Sequence, residues 1–414
     1  MTDMAGAVPV IAVDKVQAVA LAVCTYYFGV WLKGKVGVLS RYSIPSPVVG
    51  GMSFAIVVSF LEYFNIVKVQ IDSTLQTVLM LGFFTTIGLM ASLRVVKDGG
   101  RLLLGFLLAV TVLVFLQNGM GMAIAEAMGF DKHYGILAGS VSMMGGLGTA
   151  AAFGPYFEET YGITGGTAVA VTAATFGMVA ALLIGGPFGE WCIRHYKVKT
   201  PDEVQQPEPE LHLPDDMDTD ITEQHASAKP NFTNEIMRAV SVTALAMGLG
   251  TIVSNFLGHY ITLPAYIGAM IVATVIRNVG DFSGMYKVEG KGLNAVADIT
   301  LVLFVTMAIN NLKLHELVHL ALPLVVILAC QTILMLIYAW TVLFTAFGRS
   351  YDAVMLSVGG IGFSMGATAN GLANMQAISE KYGSSPRAWL IVSVVGAFLI
   401  DLINAVVITW FGTL

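Results

Sequence analysis

The chain has 414 residues, of which 56% are hydrophobic and only 12% are charged. Soluble globular proteins carry about 25% charged residues, so this composition excludes an ordinary soluble domain and favours an all-α, polytopic membrane protein in a lipid bilayer. The net charge of −6 is concentrated in one segment, because residues 201–230 hold nine Asp or Glu, five prolines and one lysine. Such a segment cannot bury a core, and no nucleic-acid partner is expected.

A helix that spans a bilayer needs roughly 20 mostly apolar residues, and ten apolar runs follow one another along the chain. The first run has Asp3 and no basic residues ahead of it, so it is expected to remain in the mature protein. The runs predict transmembrane helices at 12–32, 44–64, 74–93, 101–127, 166–190, 236–257, 263–276, 294–311, 317–347 and 388–411.

Two further stretches, 133–157 and 353–379, are rich in Gly, Ala, Ser and Thr and are predicted to be re-entrant hairpins that enter and leave the bilayer on one side. Short cytoplasmic loops carry an excess of Lys and Arg. With the N-terminus outside, 17 of the 21 Lys and Arg residues fall on the inner side. This orientation places both termini outside, and it leaves no basic side chain deep within a predicted span.

The two stretches also resemble each other. A constant offset of 221 aligns residues 131–162 with 352–383 and gives eight identities, among them Asp131 with Asp352 and Gly145 with Gly366. Five spans in each half would place the second half upside down, which is the architecture of many secondary transporters. The sequence therefore predicts a first membrane repeat at 1–196, an acidic Pro-rich cytoplasmic linker at 197–234 and an inverted second repeat at 235–414. Glycines that only permit close helix packing are the alternative.

Backbone outside a regular helix survives at membrane depth only when it is buried in protein or lines a watery cavity. Helix N-termini at hairpin tips suit a carboxylate, and Asp401 in the last span marks a functional position by default. The candidate substrate-binding residues are Gly145, Gly146, Gly148, Thr149, Gly366, Thr368, Asn370, Asn374, Asp401 and Asn404. The candidate sodium-binding residues are Ser142, Thr175, Gln117, Asn118, Asn310 and Asp401.

Other interpretations remain open for these residues. Interhelical hydrogen bonding is the simpler explanation for each polar group taken alone. Residues 315–319 read HELVH, a pattern that on a helix suits zinc, so an intramembrane zinc peptidase is an alternative. No third ligand accompanies it, and the three cysteines lie far apart, so no metal other than sodium and no other cofactor is expected. A channel is a further option.

Several motifs resemble the bacterial sodium/glutamate symporter family. They include YSIP at 42–45, FFTTIGL at 83–89, ATFG at 174–177, IGGP at 184–187, ANMQAI at 373–378 and VGAF at 395–398, followed by Asp401 and Asn404. The resemblance implies a homodimer in the bacterial inner membrane, with periplasmic termini, that imports L-glutamate with sodium by an elevator-like movement. Leu147, Ala150 and the run 369–371 depart from the family pattern, so a related carboxylate or another amino acid is the alternative substrate.

Overall fold

The computed structural model describes residues 9–37, 39, 44–94, 100–201, 232–257, 264–284, 286, 290–314 and 319–414. Most of the predicted linker at 197–234 therefore lies outside the described residues. Helices make up nearly all of the described chain, as the composition predicts, apart from one small sheet. In that sheet β1 (Val10–Val13) and β2 (Lys68–Ile71) pair in parallel, with Val10 opposite Lys68.

The described helices of the first half follow the predicted order closely. They are α1 (Lys15–Lys35), α2 (Ser46–Tyr63), α3 (Thr74–Met90), α4 (Gly100–Ala127), α5 (Lys132–Ile136) with a π turn at Leu137–Val141, α6 (Gly146–Tyr161) and α7 (Gly166–Tyr196).

The second half has a similar order of elements. Its helices are α8 (Phe232–Leu257), α9 (Ala265–Ser283), α10 (Lys291–Asn310), α11 (Ala321–Tyr338) continued by a π helix at Ala339–Ala346, α12 (Tyr351–Ser364), α13 (Thr368–Tyr382), α14 (Pro386–Val394), a π turn at Val395–Leu399 and α15 (Ile400–Gly412).

Within the described ranges, eight helical stretches are long and apolar enough to cross a membrane, counting α14 to α15 as one. These eight coincide with eight of the ten predicted spans. The predicted span at 74–93 forms α3, which is apolar but only 17 residues long. The span predicted at 263–276 forms α9, which continues through Arg277 and Asp281 to Ser283. The protein is a polytopic membrane protein.

Local sequence explains where several helices begin. The Asp14 carboxylate accepts hydrogen bonds from the backbone N–H groups of Val16 and Gln17, at 2.8 and 3.0 Å. The Gln17 side chain accepts in return from the Asp14 N–H group, which completes a capping box. Pro45 and Pro264 precede α2 and α9, where a residue without an N–H group costs little.

The helices pack into two groups. The six-helix group contains α1, α2, α3, α8, α9 and α10, and the hairpin group contains α4 to α7 and α11 to α15. Side-chain hydrogen bonds join helices inside each group. Asn278 of α9 donates to the Ala91 carbonyl oxygen at 2.8 Å in the six-helix group, and Tyr338 of α11 donates to the Ala109 carbonyl oxygen at 2.6 Å in the hairpin group.

Glycines bring two helix pairs of the six-helix group into backbone contact. In α1 and α2, a Cβ atom on Gly29 would lie 2.7 Å from the Gly50 nitrogen. In α8 and α9, a Cβ atom on Gly268 would lie 2.7 Å from the Gly250 carbonyl oxygen. Real Cβ contacts are never so short, so each crossing requires glycine. Close contacts at glycine therefore pack both helix pairs.

Two segments of the hairpin group fold back on themselves, so that the two ends of each segment are in contact. The first hairpin runs from α5 to α6, and the rings of His133 and Tyr161 at its two ends stack with centroids 4.1 Å apart. The second hairpin runs from α12 to α13, and the Tyr351 hydroxyl at its start donates to the Gly383 carbonyl oxygen at 2.6 Å. These segments correspond to the two stretches predicted as hairpins.

The two groups meet mainly where α6 lies against α10, and where the π turn at Val395–Leu399 and α15 contact α3. A Cβ atom on Gly148 of α6 would lie 2.9 Å from a ring carbon of Phe83 in α3 and 3.3 Å from a methyl carbon of Leu301 in α10. One turn and a half further along α6, Phe153 packs edge-on against Tyr266 of α9, with centroids 5.4 Å apart. These contacts between the groups are apolar.

Candidate functional site

Both hairpins are broken at their tips, and the tips touch. In the first hairpin the backbone leaves helical geometry at Gly139 (φ −91°, ψ −130°), and α6 starts at Gly146 with φ +62°. In the second, Met365, Gly366 and Ala367 separate α12 from α13. A Cβ atom on residue 146 would lie too close to the Gly366 carbonyl oxygen. Only glycine therefore fits at position 146, both for its φ angle and for the contact.

Amide side chains from two other helices hold the first break. The side-chain oxygen of Asn118 in α4 accepts from the Ser140 N–H group at 2.9 Å. The Asn404 amide of α15 donates to the Ser140 carbonyl oxygen at 3.0 Å. Beside it, the Ser142 hydroxyl contacts the carbonyl oxygens of Leu137 and Ala170, at 2.5 and 2.7 Å. The backbone freed by the break is thus paired by side chains, as buried peptide groups require.

A second pair of amides reaches the end of α12. The Gln117 amide donates to the Ser364 carbonyl oxygen at 2.9 Å. The Gln331 amide of α11 donates to the Gln117 carbonyl oxygen at 2.7 Å. Since Gln117 and Asn118 are neighbours in α4, this one helix contacts both breaks.

Helix α13 is held against α7 by asparagines on one face. Asn370 donates to the Met178 carbonyl oxygen and Asn374 to the Ala181 carbonyl oxygen, each at 3.0 Å. Both side chains are buried. At the start of α13, the Thr368 hydroxyl donates to a carbonyl oxygen of the π turn Val395–Leu399. The second tip is thereby fixed to α7, which follows the first hairpin, and to the π turn Val395–Leu399, which follows the second.

Five buried side-chain oxygens around the two breaks accept no hydrogen bond from the described part of the chain. They are Gln117 Oε1, Ser140 Oγ, Gln331 Oε1, Ser364 Oγ and Asn404 Oδ1. The buried donor Asn118 Nδ2 is also unpaired within the described residues. Buried polar groups in proteins are nearly always paired. A cluster of neutral oxygens in this state suits a hard cation, which prefers oxygen ligands, and the unpaired amide suits a carboxylate.

Asp401 lies in the first turn of α15, three residues before Asn404 and on the same side of the helix. Its side chain is only partly buried. Within the described residues its carboxylate has no hydrogen-bond or ion-pair partner. An acidic side chain therefore lies one helical turn away from Asn404, which contacts the first break.

A comparison with known families agrees with a site that suits a cation and a carboxylate. Residues 11–384 match the model of the family described as sodium/glutamate symporter. The chain belongs to the sodium/glutamate symporter family. It is 37% identical over 397 residues to the sodium/glutamate symporter of Escherichia coli (strain K12), covering 95% of this chain and 96% of that protein. The sodium/glutamate symporter of Haemophilus influenzae is 34% identical over 395 residues, covering 94% and 95%.

Membership of the symporter family confirms the resemblance read from the sequence motifs. Relatives of this chain are named as symporters, so the chain is a transporter and not the zinc peptidase given above as an alternative. The HELVH stretch at 315–319 lies outside the described residues except for His319. In the rest of the chain that the structure describes, no group of three or more His, Cys, Asp or Glu side chains could hold a metal ion.

Of the residues predicted for this symporter's site, Gly148 and Asn310 lie away from the contacts at the breaks, Thr175 donates only within its own helix, and Thr149 lies beside Gly145. Gly148 faces Phe83 and Leu301 between the two helix groups. The Thr175 hydroxyl donates to its own helix, at the Val171 carbonyl oxygen. Asn310 belongs to the six-helix group, where it donates to the Thr25 hydroxyl at 3.1 Å. Thr149 is buried, with its side chain against Gly145.

Sequence reasoning did not include Gln331, Ser140 or Ser364 in the site. A signal existed for Gln331, because it is a polar residue within an apolar span. Ser140 and Ser364 gave no such signal, since serine is common in helices that only pack closely. Their relevance follows from hydroxyl groups that are buried and unpaired among the described residues.

Proposed function

We propose that the protein is a symporter that carries glutamate across the bacterial inner membrane together with sodium. The observation that carries this proposal is the pair of broken helices whose tips meet amid buried, unpaired oxygens. The names of the relatives supply the substrate and the ion. Transporter families commonly bind their substrates where broken helices meet near the middle of the bilayer.

Sodium would bind among the neutral oxygens at the breaks. Gln117 Oε1, Ser140 Oγ and Ser364 Oγ are the first candidates, because each is buried and lacks a donor in the described chain. Ser142 contributes less, since its hydroxyl already contacts two carbonyl oxygens. Asp401 would compensate the charge of an ion or of the substrate ammonium group. Moving one charge down a membrane potential of 100 mV supplies about 2.3 kcal/mol.

Glutamate carboxylates would be held by amides and helix N-termini, because among the described residues no basic side chain contacts the tips. The N-terminal turns of α6 and α13 begin at Gly146 and Thr368, with no side-chain cap. Their free N–H groups and partial positive charge favour an anion. The unpaired Asn118 amide adds a donor. Gly145, Gly366, Asn370, Asn374 and Asn404 would line the same space.

An elevator-like movement would carry the loaded tips across the membrane. The support for it is the division into a hairpin group and a six-helix group that touch through apolar side chains such as Phe83, Phe153 and Leu301. Apolar surfaces of this kind can slide without breaking buried hydrogen bonds. The proposed architecture has two inverted repeats, 1–196 and 235–414, each with five spans and one re-entrant hairpin.

The proposed orientation places both termini in the periplasm and the linker 197–234 in the cytoplasm. A homodimer is part of the same proposal. Cysteines placed at the ends of the hairpins test the orientation. Residues 132 and 162 are expected to react with an impermeant maleimide from the periplasmic side, and residues 351 and 383 only after the membrane is opened. Labelling of all four from one side would contradict inversion.

Uptake by proteoliposomes tests the function directly. Purified protein should accumulate radiolabelled L-glutamate against its gradient when sodium is outside, and potassium should not replace sodium. Unlabelled aspartate, glutamine and dicarboxylates without an amino group compete in parallel, because Leu147 and Ala150 depart from the family pattern. Uptake that is equal with and without a sodium gradient would refute the coupling, and equilibration without accumulation would indicate a channel.

A further inference from the structure

The last helix of the chain contacts the first hairpin at two levels. Asn404 of α15 donates to the Ser140 carbonyl oxygen at the first break. Eight residues later, the Gly412 carbonyl oxygen lies 3.2 Å from Nε2 of His133, where the hairpin begins. Residues eight apart lie on the same side of a helix. One side of α15 is therefore fixed to the first hairpin both at the break and at its base.

Both ring nitrogens of His133 face an acceptor. Nδ1 lies 2.5 Å from Oδ1 of Asp131, and Nε2 faces the carbonyl oxygen of Gly412. An ionised carboxylate and a carbonyl oxygen can only accept hydrogen bonds. A neutral imidazole has a single N–H group, whereas an imidazolium has two. The two contacts are therefore made together only when the His133 ring carries a proton on each nitrogen.

The surroundings of the ring suit a cation. His133 is 8% exposed, and its ring stacks on that of Tyr161 with centroids 4.1 Å apart. The face of an aromatic ring attracts positive charge. Gly412 is the last residue of α15, where the negative end of the helix dipole favours a cation. The Asp131 side chain is 46% exposed, so the pair remains in contact with water and can exchange protons with it.

Asp131 and Tyr161 are the titratable side chains that contact the ring. Other titratable or charged groups lie on α5 itself and on the nearby parts of α4, α6 and α15. Within the described residues none of them forms a hydrogen bond or an ion pair with the ring. These groups are Glu126, Lys132, Tyr156, Glu158, Glu159 and the carboxylate of Leu414. Asp131 is thus the group that balances the charge of His133.

Loss of one proton affects one of the two contacts. An ionised carboxylate is a stronger acceptor than a carbonyl oxygen, so the neutral ring keeps its N–H group on Nδ1, towards Asp131. The lone pair of Nε2 then faces the Gly412 carbonyl oxygen, and the contact with α15 is lost. Histidine changes its charge between about pH 5 and 8. A rise in pH through this range therefore releases the end of α15 from the hairpin.

We propose that His133 is a positioning residue whose protonated ring fixes the end of α15 to the first hairpin and so keeps Asn404 in place at the first break. This inference rests on the proposed function, because it concerns the sodium and glutamate site at that break. When His133 loses its proton, Asn404 holds Ser140 less firmly and sodium binds more weakly.

Two replacements separate the contacts of the ring. His133→Gln places an amide nitrogen near the position of Nε2 and can donate to Gly412 at every pH, whereas His133→Asn reaches only the position of Nδ1. In proteoliposomes with equal pH on both sides, the sodium concentration for half-maximal glutamate uptake should rise about fivefold in the wild type between about pH 6 and about pH 8.5. The glutamine variant should keep the low value at both pH values, and the asparagine variant the high value.

His195 provides the matched control. Its ring also stacks on an aromatic ring, that of Trp191 with centroids 5.2 Å apart, but the residue is exposed at the end of α7. His195→Gln and His195→Asn should both keep the pH dependence of the wild type. Equal sodium requirements in the two His133 variants, or a wild type whose sodium requirement does not change with pH, would overturn the proposal.

Melting temperatures of the purified protein test the contact without transport. The contact with Gly412 stabilises the fold while the ring is protonated and is lost as the pH rises. Without sodium or glutamate, the wild type should therefore melt like His133→Gln at about pH 6 and like His133→Asn at about pH 8.5. If the wild type showed this change but no sodium-driven uptake, the contact would be supported and the proposed function would fall. Parallel melting curves for all three proteins would overturn the role of His133.

Discussion

The Asn404 amide nitrogen lies 3.0 Å from the Ser140 carbonyl oxygen, so the last helix of the chain pairs the backbone that is freed where the first hairpin breaks. On the other side of the same residue, Asn118 accepts from the Ser140 N–H group. Two asparagines that are far apart in sequence therefore clamp one peptide position. Each also keeps one polar atom, Asn404 Oδ1 and Asn118 Nδ2, free within the described residues.

Replacing Asn404 with leucine is expected to lower glutamate uptake at least tenfold. The change leaves the Ser140 carbonyl oxygen without its donor, which costs about 1–3 kcal/mol, and it removes an oxygen proposed for the ion or substrate. Initial rates in proteoliposomes measure the effect. Asn294→Leu replaces an exposed asparagine of α10 and serves as the control. Equal rates for the two variants would mean that the clamp is not needed for transport.

Alanine replacements of the two serines of α12 distinguish a hydroxyl group proposed to bind sodium, that of Ser364, from one with a structural role, that of Ser357. Ser364→Ala removes a buried hydroxyl that is unpaired among the described residues, so the sodium concentration for half-maximal uptake should rise about tenfold. Ser357→Ala is the matched control, because the Ser357 hydroxyl donates only within its own helix, to the Ala353 carbonyl oxygen at 2.7 Å. A parallel change in both variants would assign the effect to packing of α12 rather than to sodium.

Asp401→Asn is expected to abolish sodium-driven uptake while the protein remains folded. The side chain keeps its shape but loses the charge that would compensate sodium or the substrate ammonium group. Size-exclusion chromatography and the melting temperature report on folding, and Glu159→Gln at the exposed end of α6 is the control. Uptake of half the wild-type rate or more would remove Asp401 from the transport site.

The positions of most helices could be predicted because apolar runs report directly on membrane spans. The limits of α9 could not. Arg277 and Asp281 interrupt its hydropathy, but they form an ion pair at 3.0 Å, and Ser92 donates to Asp281 at 2.5 Å. Paired in this way, both residues remain within the helix. The small sheet was not predicted either, since strands of four residues give little periodicity.

The site was predictable where glycine marks a broken helix, as at Gly146 and Gly366. Composition alone could not distinguish glycines at the tips from those at contacts between helices. Gly148 belongs to the same GGLG run as Gly145 and Gly146 but faces the other helix group. Likewise, Asn310 appears as suitable as Asn404 by polarity, yet it lies in the six-helix group beside Thr25. Only the packing separates such residues.

The contact between Gly148 and Leu301 allows a direct test of movement between the two helix groups. Leu301→Cys and Gly148→Cys are combined after Cys24, Cys192 and Cys330 have been replaced by alanine. A Cβ atom at position 148 would lie 3.3 Å from a δ-methyl carbon of Leu301, so the two positions face each other, and oxidation tests whether their thiols join in a disulfide.

If the groups must slide past each other, the oxidised protein should lose more than 90% of its uptake and regain it with dithiothreitol, because the disulfide fixes α6 to α10. Binding of glutamate should persist in the locked protein, since the tips are not altered. Gly148→Cys alone, oxidised in parallel, is the control and should keep its uptake, because it has no second thiol to join. Full uptake by the oxidised Gly148 and Leu301 pair would rule out a sliding movement at this contact.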